Sequence, residues 1–344
     1  MKLFTKALRT AAAAAVLAGS TSAAFAQDVT LKLHQFLPAQ ANVPRLILDV
    51  WADKVEAESE GRIKIERYPS MQLGGKPPHL IGQLEDGIAD IVWTVAGYTP
   101  GRFPQGEAFE LPFMMTNAEA ASRAYYEYAE ANMMNKEYAP FKVIGLWVHG
   151  PGLIHSKKPI TAPADLNGVK LRAPTRVTNK FFTELGATPV GMPVPAVPEA
   201  LSKGVIDATV IPWEVTGALK VPELVGNHTE FGDASLYTTT FIFAMNRDKY
   251  EAMPDDLKAI IDANSGADVS AWAGKLMQAS DAPARAKAVE NGNTIHTLTP
   301  EQVQVWRDAA ASQEADWVAE MNGKGYDGQA LLDQAKALTA KYTK

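Results

Sequence analysis

Leu84-Glu85-Asp86-Gly87-Ile88-Ala89-Asp90-Ile91-Val92 is echoed later in the chain by Leu201-Ser202-Lys203-Gly204-Val205-Ile206-Asp207-Ala208-Thr209-Val210. In both stretches a helical segment ends at a glycine, where a left-handed backbone is wanted and a Cβ is a burden. An apolar pair, an aspartate and a strand follow. A helix-glycine-strand joint is common and accounts for the glycine, but not for the matched aspartate three residues on. The echo predicts two lobes built on one plan.

The neighbouring sequence fits that plan. Val29, Leu31 and Leu33 alternate with Thr30 and Lys32 and read as a strand. A loop follows from His34 to Asn42, and Pro44 then opens a helix with Ile47, Val50, Trp51 and Val55 on one face. Gly61 is a helix stop, and Ile63 and Ile65 begin a second strand. Strand, helix and strand in repetition make an α/β protein. The later chain is helical. Met253-Pro254-Asp255-Asp256 starts a helix carrying Leu257, Ile260 and Ile261. Thr299-Pro300-Glu301-Gln302 is a capping box leading into a long helix through Val303, Trp306 and Trp317. Thr116 to Glu119 is another, ahead of Tyr125 and Tyr128. No low-complexity linker occurs, so short crossing strands should join the lobes; Phe141–Val148 and Thr238–Met245 are the candidates.

Composition narrows the function. The 344 residues are 47% hydrophobic and 21% charged and include no cysteine. That excludes a disulfide framework, a thiolate metal site, an iron–sulfur cluster and a cysteine nucleophile. Lys2, Lys6 and Arg9 precede the apolar run Ala11 to Ala18, and Ala24-Phe25-Ala26 is a cleavage signature. Residues 1–26 therefore read as a secretory signal peptide, too short in its apolar run to anchor in a bilayer. Its removal leaves 318 residues and takes away three cations and no acid, moving the net charge from −6 to −9. A soluble protein exported across the inner membrane to a periplasm is expected. The acidity argues against nucleic acid as a partner.

Catalytic signatures are few. The chain has no H-E-x-x-H, G-x-S-x-G or Walker A sequence. A G-x-G-x-x-G match at Gly323, Gly325 and Gly328 follows a helix instead of a strand, with no room for a βαβ unit after it, so it is rejected as a dinucleotide site. The six histidines lack metal-ligand spacing, and surface or loop positions are expected for them. No metal or cofactor is implied. What stands out is a cation among apolar residues. Val169-Lys170-Leu171-Arg172-Ala173-Pro174 reads as a strand entering a turn, with Arg172 at its carboxyl edge, where open α/β sheets bind ligands.

Several landmarks then occur in a telling order: Tyr68-Pro69 with Gln72-Leu73-Gly74, Asp86-Gly87-Ile88-Ala89-Asp90, Glu110-Leu111-Pro112-Phe113, Asp165 to Arg172, Leu185-Gly186-Ala187-Thr188-Pro189, and Ala200 to Asp207. In these residues the chain resembles the DctP-like solute-binding proteins of TRAP (tripartite ATP-independent periplasmic) transporters, over essentially all of its length after the signal peptide. The resemblance implies a two-lobed, type II-like Venus-flytrap fold of α/β class with long C-terminal helices bracing both lobes. It suggests residues 27–149 plus about 238–280 for lobe I, and 150–237 plus about 281–344 for lobe II and the C-terminal helices. It implies binding without turnover, by a monomer that captures a small organic acid and passes it to the small and large membrane subunits.

The resemblance also implies an arginine that pairs with the ligand carboxylate, and it falls on Arg172. A guanidinium fork suits that task because it offers two parallel hydrogen bonds. Relatives that bind sialic or sugar acids are polar at pocket positions that here hold Phe36, Thr94, Val95, Val194 and Ile211. Where many relatives read Gln-Glu-Asn-Pro, this chain has Thr209-Val210-Ile211-Pro212, and a second arginine of some relatives aligns with Gly152. Buried ligand hydroxyls would go unpaired there, at roughly 1–3 kcal/mol each. The expected ligand is a monocarboxylate with an apolar or aromatic body, such as a benzoate-like, aryl-2-oxo or branched 2-oxo acid. Trp213 is a candidate pocket wall, Arg176 and His149 are candidate second anchors, and Glu214 could bond a ligand hydroxyl or face solvent. Between Trp93 and Thr94, which a strand sends to opposite faces, Thr94 is expected inward. A sensor-type binding protein, or an enzyme acting on aryl acids through His149 or Glu214, are the rival readings.

Overall fold

The two halves of the echo fold into two separate β-sheets. The structure, a computed structural model, describes residues 29–343; the signal peptide and its cleavage site lie outside them. The strands are β1 (Val29–His34), β2 (Ile63–Tyr68), β3 (Ile91–Val95), β4 (Phe141–Val148), β5 (Leu153–Ser156), β6 (Lys170–Ala173), β7 (Thr188–Gly191), β8 (Ala208–Ile211), β9 (Asn227–Glu230), β10 (Thr240–Asn246) and β11 (Thr294–Thr297). One sheet has the order β2-β1-β3-β10-β4 and the other β11-β9-β5-β8-β6-β7. In the first, β1 runs parallel to β2 and β3, and β10 is antiparallel to β3 and β4. In the second, β6 is parallel to β7 and β8, and β5 is antiparallel to β8 and β9.

The joints of the echo match closely. Gly87 and Gly204 both sit at φ +69°, in the left-handed region that glycine enters without penalty. Ile88 and Val205 then donate to the carbonyls of Gln83 and Ala200, five residues back, each at 2.9 Å. The Asp90 and Asp207 N–H groups donate to the Lys32 and Lys170 carbonyls of β1 and β6, at 3.0 and 2.7 Å, bringing β3 beside β1 and β8 beside β6. In the first lobe the aspartate has a further task, because its Oδ2 accepts the Lys32 N–H at 2.8 Å.

The chain passes between the sheets in short segments. Phe141–Val148 and Thr238–Met245 are not free crossing strands. Phe141–Val148 is the whole of β4 and Thr238–Met245 holds most of β10, its neighbour in the first sheet, and the crossings lie at 149–152 and 231–239. A third passage falls at Ser280: the helix Ala267–Ala279 packs on the helix Ala118–Asn132 and on β4, and the helix Asp281–Glu290 packs on the turn Trp213–Val215.

Two helix expectations need correction. The helix Ala118–Asn132 is capped by Asn117, whose side chain accepts the Ala120 N–H at 2.8 Å, and not by Thr116. The expected long helix is two, Pro300–Ala309 and Ser312–Gly323, broken at Ala310-Ala311. The break is what lets Trp306 enter the second lobe's core while Trp317 enters the first. The glycine motif at its end is a turn: Gly325 takes φ +85°, and Gly328 begins the last helix, Gly328–Tyr342, which packs on Ala118–Asn132. The C-terminal helices thus touch both lobes.

Candidate functional site

The carboxyl ends of β3, β6 and β8 face one another across the cleft, and a cavity lies between them. Its first-lobe wall is Phe36 and Leu37 from the loop after β1, Trp93 and Val95 from β3, Tyr98 beyond it, and Phe241 from β10. Its second-lobe wall is Arg172, Pro174, Val194, Ile211, Pro212, Glu214 and Val215, and the crossing segments add His149, Tyr237 and Thr239. The cavity is small, with a volume of ≈ 40 Å³.

Arg172 is 1% exposed and belongs to β6. Its Nε donates to the Met192 carbonyl at 2.9 Å and its Nη1 to the Val210 carbonyl at 3.1 Å. Those carbonyls lie at the ends of β7 and β8, so the sheet edge itself aims the fork. Among the described residues Nη2 reaches only the Tyr98 hydroxyl, at 3.5 Å. Among the described residues no carboxylate pairs with this buried cation. An unpaired charge removed from water costs several kcal/mol, and an anionic ligand would offset that cost. Tyr98 is placed to help. Its oxygen accepts the Val194 N–H at 2.8 Å, which leaves its own hydrogen to donate.

His149 is a structural knot on the wall. Its Nδ1–H donates to the Gly150 carbonyl at 2.5 Å, and its Nε2 accepts the Thr239 N–H at 3.1 Å. Burial pushes its pKa down to about 4, so it is neutral and joins the two crossing segments without charge. Glu214 is also buried. Burial, with repulsion from Asp281, pushes its carboxyl up to about 8.

The cavity brings together Arg172, Phe36, Val95, Val194, Ile211, Glu214 and His149 of the residues singled out from sequence. Four others lie elsewhere. Thr94 points away and Trp93 inward, stacked between Phe36 (4.7 Å, 17°) and Phe241 (5.1 Å, 12°). All of β3 is buried, so polarity did not mark the cleft face. Val95 shares that face with Trp93 by alternation, a signal that would have corrected the choice. Gly152 is packed under the Tyr237 ring, whose Cε1 a side chain would strike, so no arginine could stand there. Arg176 is consumed by ion pairs with Glu107 and, at 2.7 Å, with Glu320. Trp213 turns into the second lobe, against His155 at 5.0 Å and His228 at 4.7 Å. His34, His155 and His228 are buried in strands, against the expectation of surface or loop positions, and His149 is in a loop but buried.

Tyr98, Tyr237, Thr239 and Phe241 were not anticipated. Phe241 reaches the cavity because β10 pairs with β3 in a register that sets it opposite Val95, and no local pattern encodes that pairing.

The family described as "Bacterial extracellular solute-binding protein, family 7" (DctP) matches residues 39–320. Three solved structures illustrate the similarity. A TRAP solute-binding protein from Rhodoferax ferrireducens T118, in complex with copurified benzoate, is 51% identical with a TM-score of 0.90, covering 91% of this chain and 98% of its own. A marine metagenome TRAP solute-binding protein specific for aromatic acid ligands, in complex with 3-hydroxybenzoate, is 49% identical with a TM-score of 0.90, covering 92% and 100%. A TRAP periplasmic solute-binding protein from Bordetella bronchiseptica, with bound (R)- and (S)-mandelate, is 25% identical with a TM-score of 0.84, covering 91% and 99%.

Proposed function

Because the chain belongs to the bacterial extracellular solute-binding proteins of family 7, the DctP family, we propose that it is the periplasmic solute-binding component of a TRAP transporter and captures a small aromatic monocarboxylate. The observation that carries this reading is Arg172, a buried guanidinium without a carboxylate partner, facing a cavity walled by Phe36, Trp93, Tyr98 and Phe241. A carboxylate laid against Nη2 would also receive the Tyr98 hydroxyl, while its ring replaced water among aromatic faces. The ligands named for the similar structures above, benzoate, 3-hydroxybenzoate and mandelate, are of this class. The sequence 1–26 supports export to the periplasm.

In this mechanism ligand enters an open cleft, Arg172 takes its carboxylate, and the lobes close over the ring. Closure is a population shift toward the form that both lobes' contacts to the ligand stabilise. The closed form then docks on the small and large membrane subunits, which release the acid to the inside.

Calorimetry on protein stripped of ligand by unfolding and refolding tests the reading. Benzoate, 3-hydroxybenzoate and mandelate should bind, and a matched set of sugar acids should not. Arg172→Ala should lower the affinity by about 2–5 kcal/mol, roughly 30-fold or more. Its ligand-free melting temperature should stay level or rise, since a buried unpaired charge is removed. Binding confined to sugar acids, or an unchanged affinity in the variant, would sink the assignment.

A further inference from the structure

We infer that Glu214 reads a hydroxyl group on the ring of the bound acid, so that hydroxylated aromatic acids are preferred to those without the hydroxyl. This rests on the reading of the cavity as an aromatic-acid site and narrows it.

Among the described residues Glu214 is the one carboxylic acid on the cavity wall, whose other polar side chains are Arg172, His149, Thr239 and the tyrosine hydroxyls. It is 4% exposed, and its Oε2 is buried without a hydrogen-bond partner. Its position is not left to chance. The Glu214 N–H donates to Asp281 Oδ1 at 2.8 Å, and the Glu214 carbonyl accepts from Asn42 Nδ2 at 2.8 Å. One anchor is the first residue of a second-lobe helix and the other a first-lobe loop, so the residue is held from both sides of the cleft. No ion pair joins Glu214 to Arg172, although both line the same space. The arginine is therefore free for the ligand's carboxylate and the glutamate for a different group.

The chemistry favours a hydroxyl for that group. A buried carboxyl oxygen without a partner is costly, and a phenol O–H of the ligand satisfies it. Burial and Asp281 keep the Glu214 proton on near pH 7, so the group both donates and accepts without adding a negative charge beside the acid. A site built to hydrogen-bond a hydroxyl discriminates strongly against an analogue that lacks it, because the protein group is then left unpaired. A ring methyl in the same place fills the volume and pairs with nothing.

The test is a set of dissociation constants for benzoate, the three hydroxybenzoates and the three methylbenzoates, measured on the wild type, Glu214→Gln and Glu214→Leu. The best hydroxybenzoate should bind the wild type about tenfold or more tightly than its methyl isostere. That ratio should fall to about one in Glu214→Leu and be partly kept in Glu214→Gln. A wild-type ratio near one overturns the inference, as does a ratio that Glu214→Leu leaves intact. If Glu214→Leu does not fold, the wild-type ratio and Glu214→Gln decide. Tight benzoate binding without hydroxyl preference removes this inference alone. Failure of every aromatic acid to bind removes the functional reading with it.

Discussion

At Gly97 a single missing methyl group decides whether the two lobes can meet. A Cβ built there would stand 2.8 Å from the Thr175 Cβ, closer than real carbon contacts allow. Gly97 lies just after β3 in the first lobe, and Thr175 caps the second-lobe helix Arg176–Glu184, so the contact spans the cleft. Overpacking of this kind costs about 1–3 kcal/mol. Gly97→Ala should therefore weaken benzoate binding by roughly tenfold, and a second change, Thr175→Gly, should restore much of the loss. Dissociation constants for the two singles and the double check this; equal affinity in Gly97→Ala and wild type would show that closure does not need the glycine. At this scale the site was partly legible. Arg172 was marked by a cation at a strand end, and Phe36, Val95, Val194 and Ile211 by apolar residues where relatives are polar. Trp93 and Thr94 were exchanged because both faces of β3 are buried. Trp213, an aromatic beside a proline, packs on the His155–His228 pair of the second lobe.

The elements that follow local rules were the readable ones. A glycine stop, a proline start and a capping box each act over four or five residues, and the joints at Gly87 and Gly204 show the same backbone angle and the same bonds. Nothing lies within 4 Å of a Cβ placed at either glycine. Alanine there would add only the penalty of a left-handed backbone, about 1–2 kcal/mol per site. Gly87→Ala and Gly204→Ala should each lower unfolding stability by that amount in urea titrations, and the double should sum them, since the sites share no partners. A loss in one variant and none in the other would show that the echo in sequence is not an echo in energetics. Elements that depend on tertiary structure were less readable. The break at Ala310-Ala311 carries no proline or glycine. It exists because Trp306 and Trp317 serve different cores, which helical periodicity does not record.

At the scale of the molecule, burial has put ionisable groups on both sides of neutrality. Burial first, with smaller charge effects, pushes Glu137 and Asp281 up to about 7 and Glu214 up to about 8. An unfolded carboxyl titrates at about 4. These three hold protons in the folded state that the unfolded chain has lost, so their contribution is whole below about pH 4 and is lost progressively as pH rises to 7 and 8. Burial acts oppositely on the histidines, taking His149 and His228 down to about 4 and His34 and His155 below the ordinary range. Unfolded histidine protonates at about 6.5. Their contribution is whole above that pH and is lost as pH falls toward 4. The two sets oppose each other at about pH 5 to 6, and above the histidine range only the carboxyl limb remains. The ligand-free melting temperature should therefore change little from about pH 5 to 6, fall from there to about pH 8, and level off above it. Glu214→Gln, which cannot lose a proton, should flatten the most alkaline part of the fall. Melting curves in matched ionic strength read this directly. A melting temperature that holds constant or climbs from pH 6 to 9 would mean that these buried carboxyls are ionised in the folded protein, and that Glu214 meets its ligand as an anion.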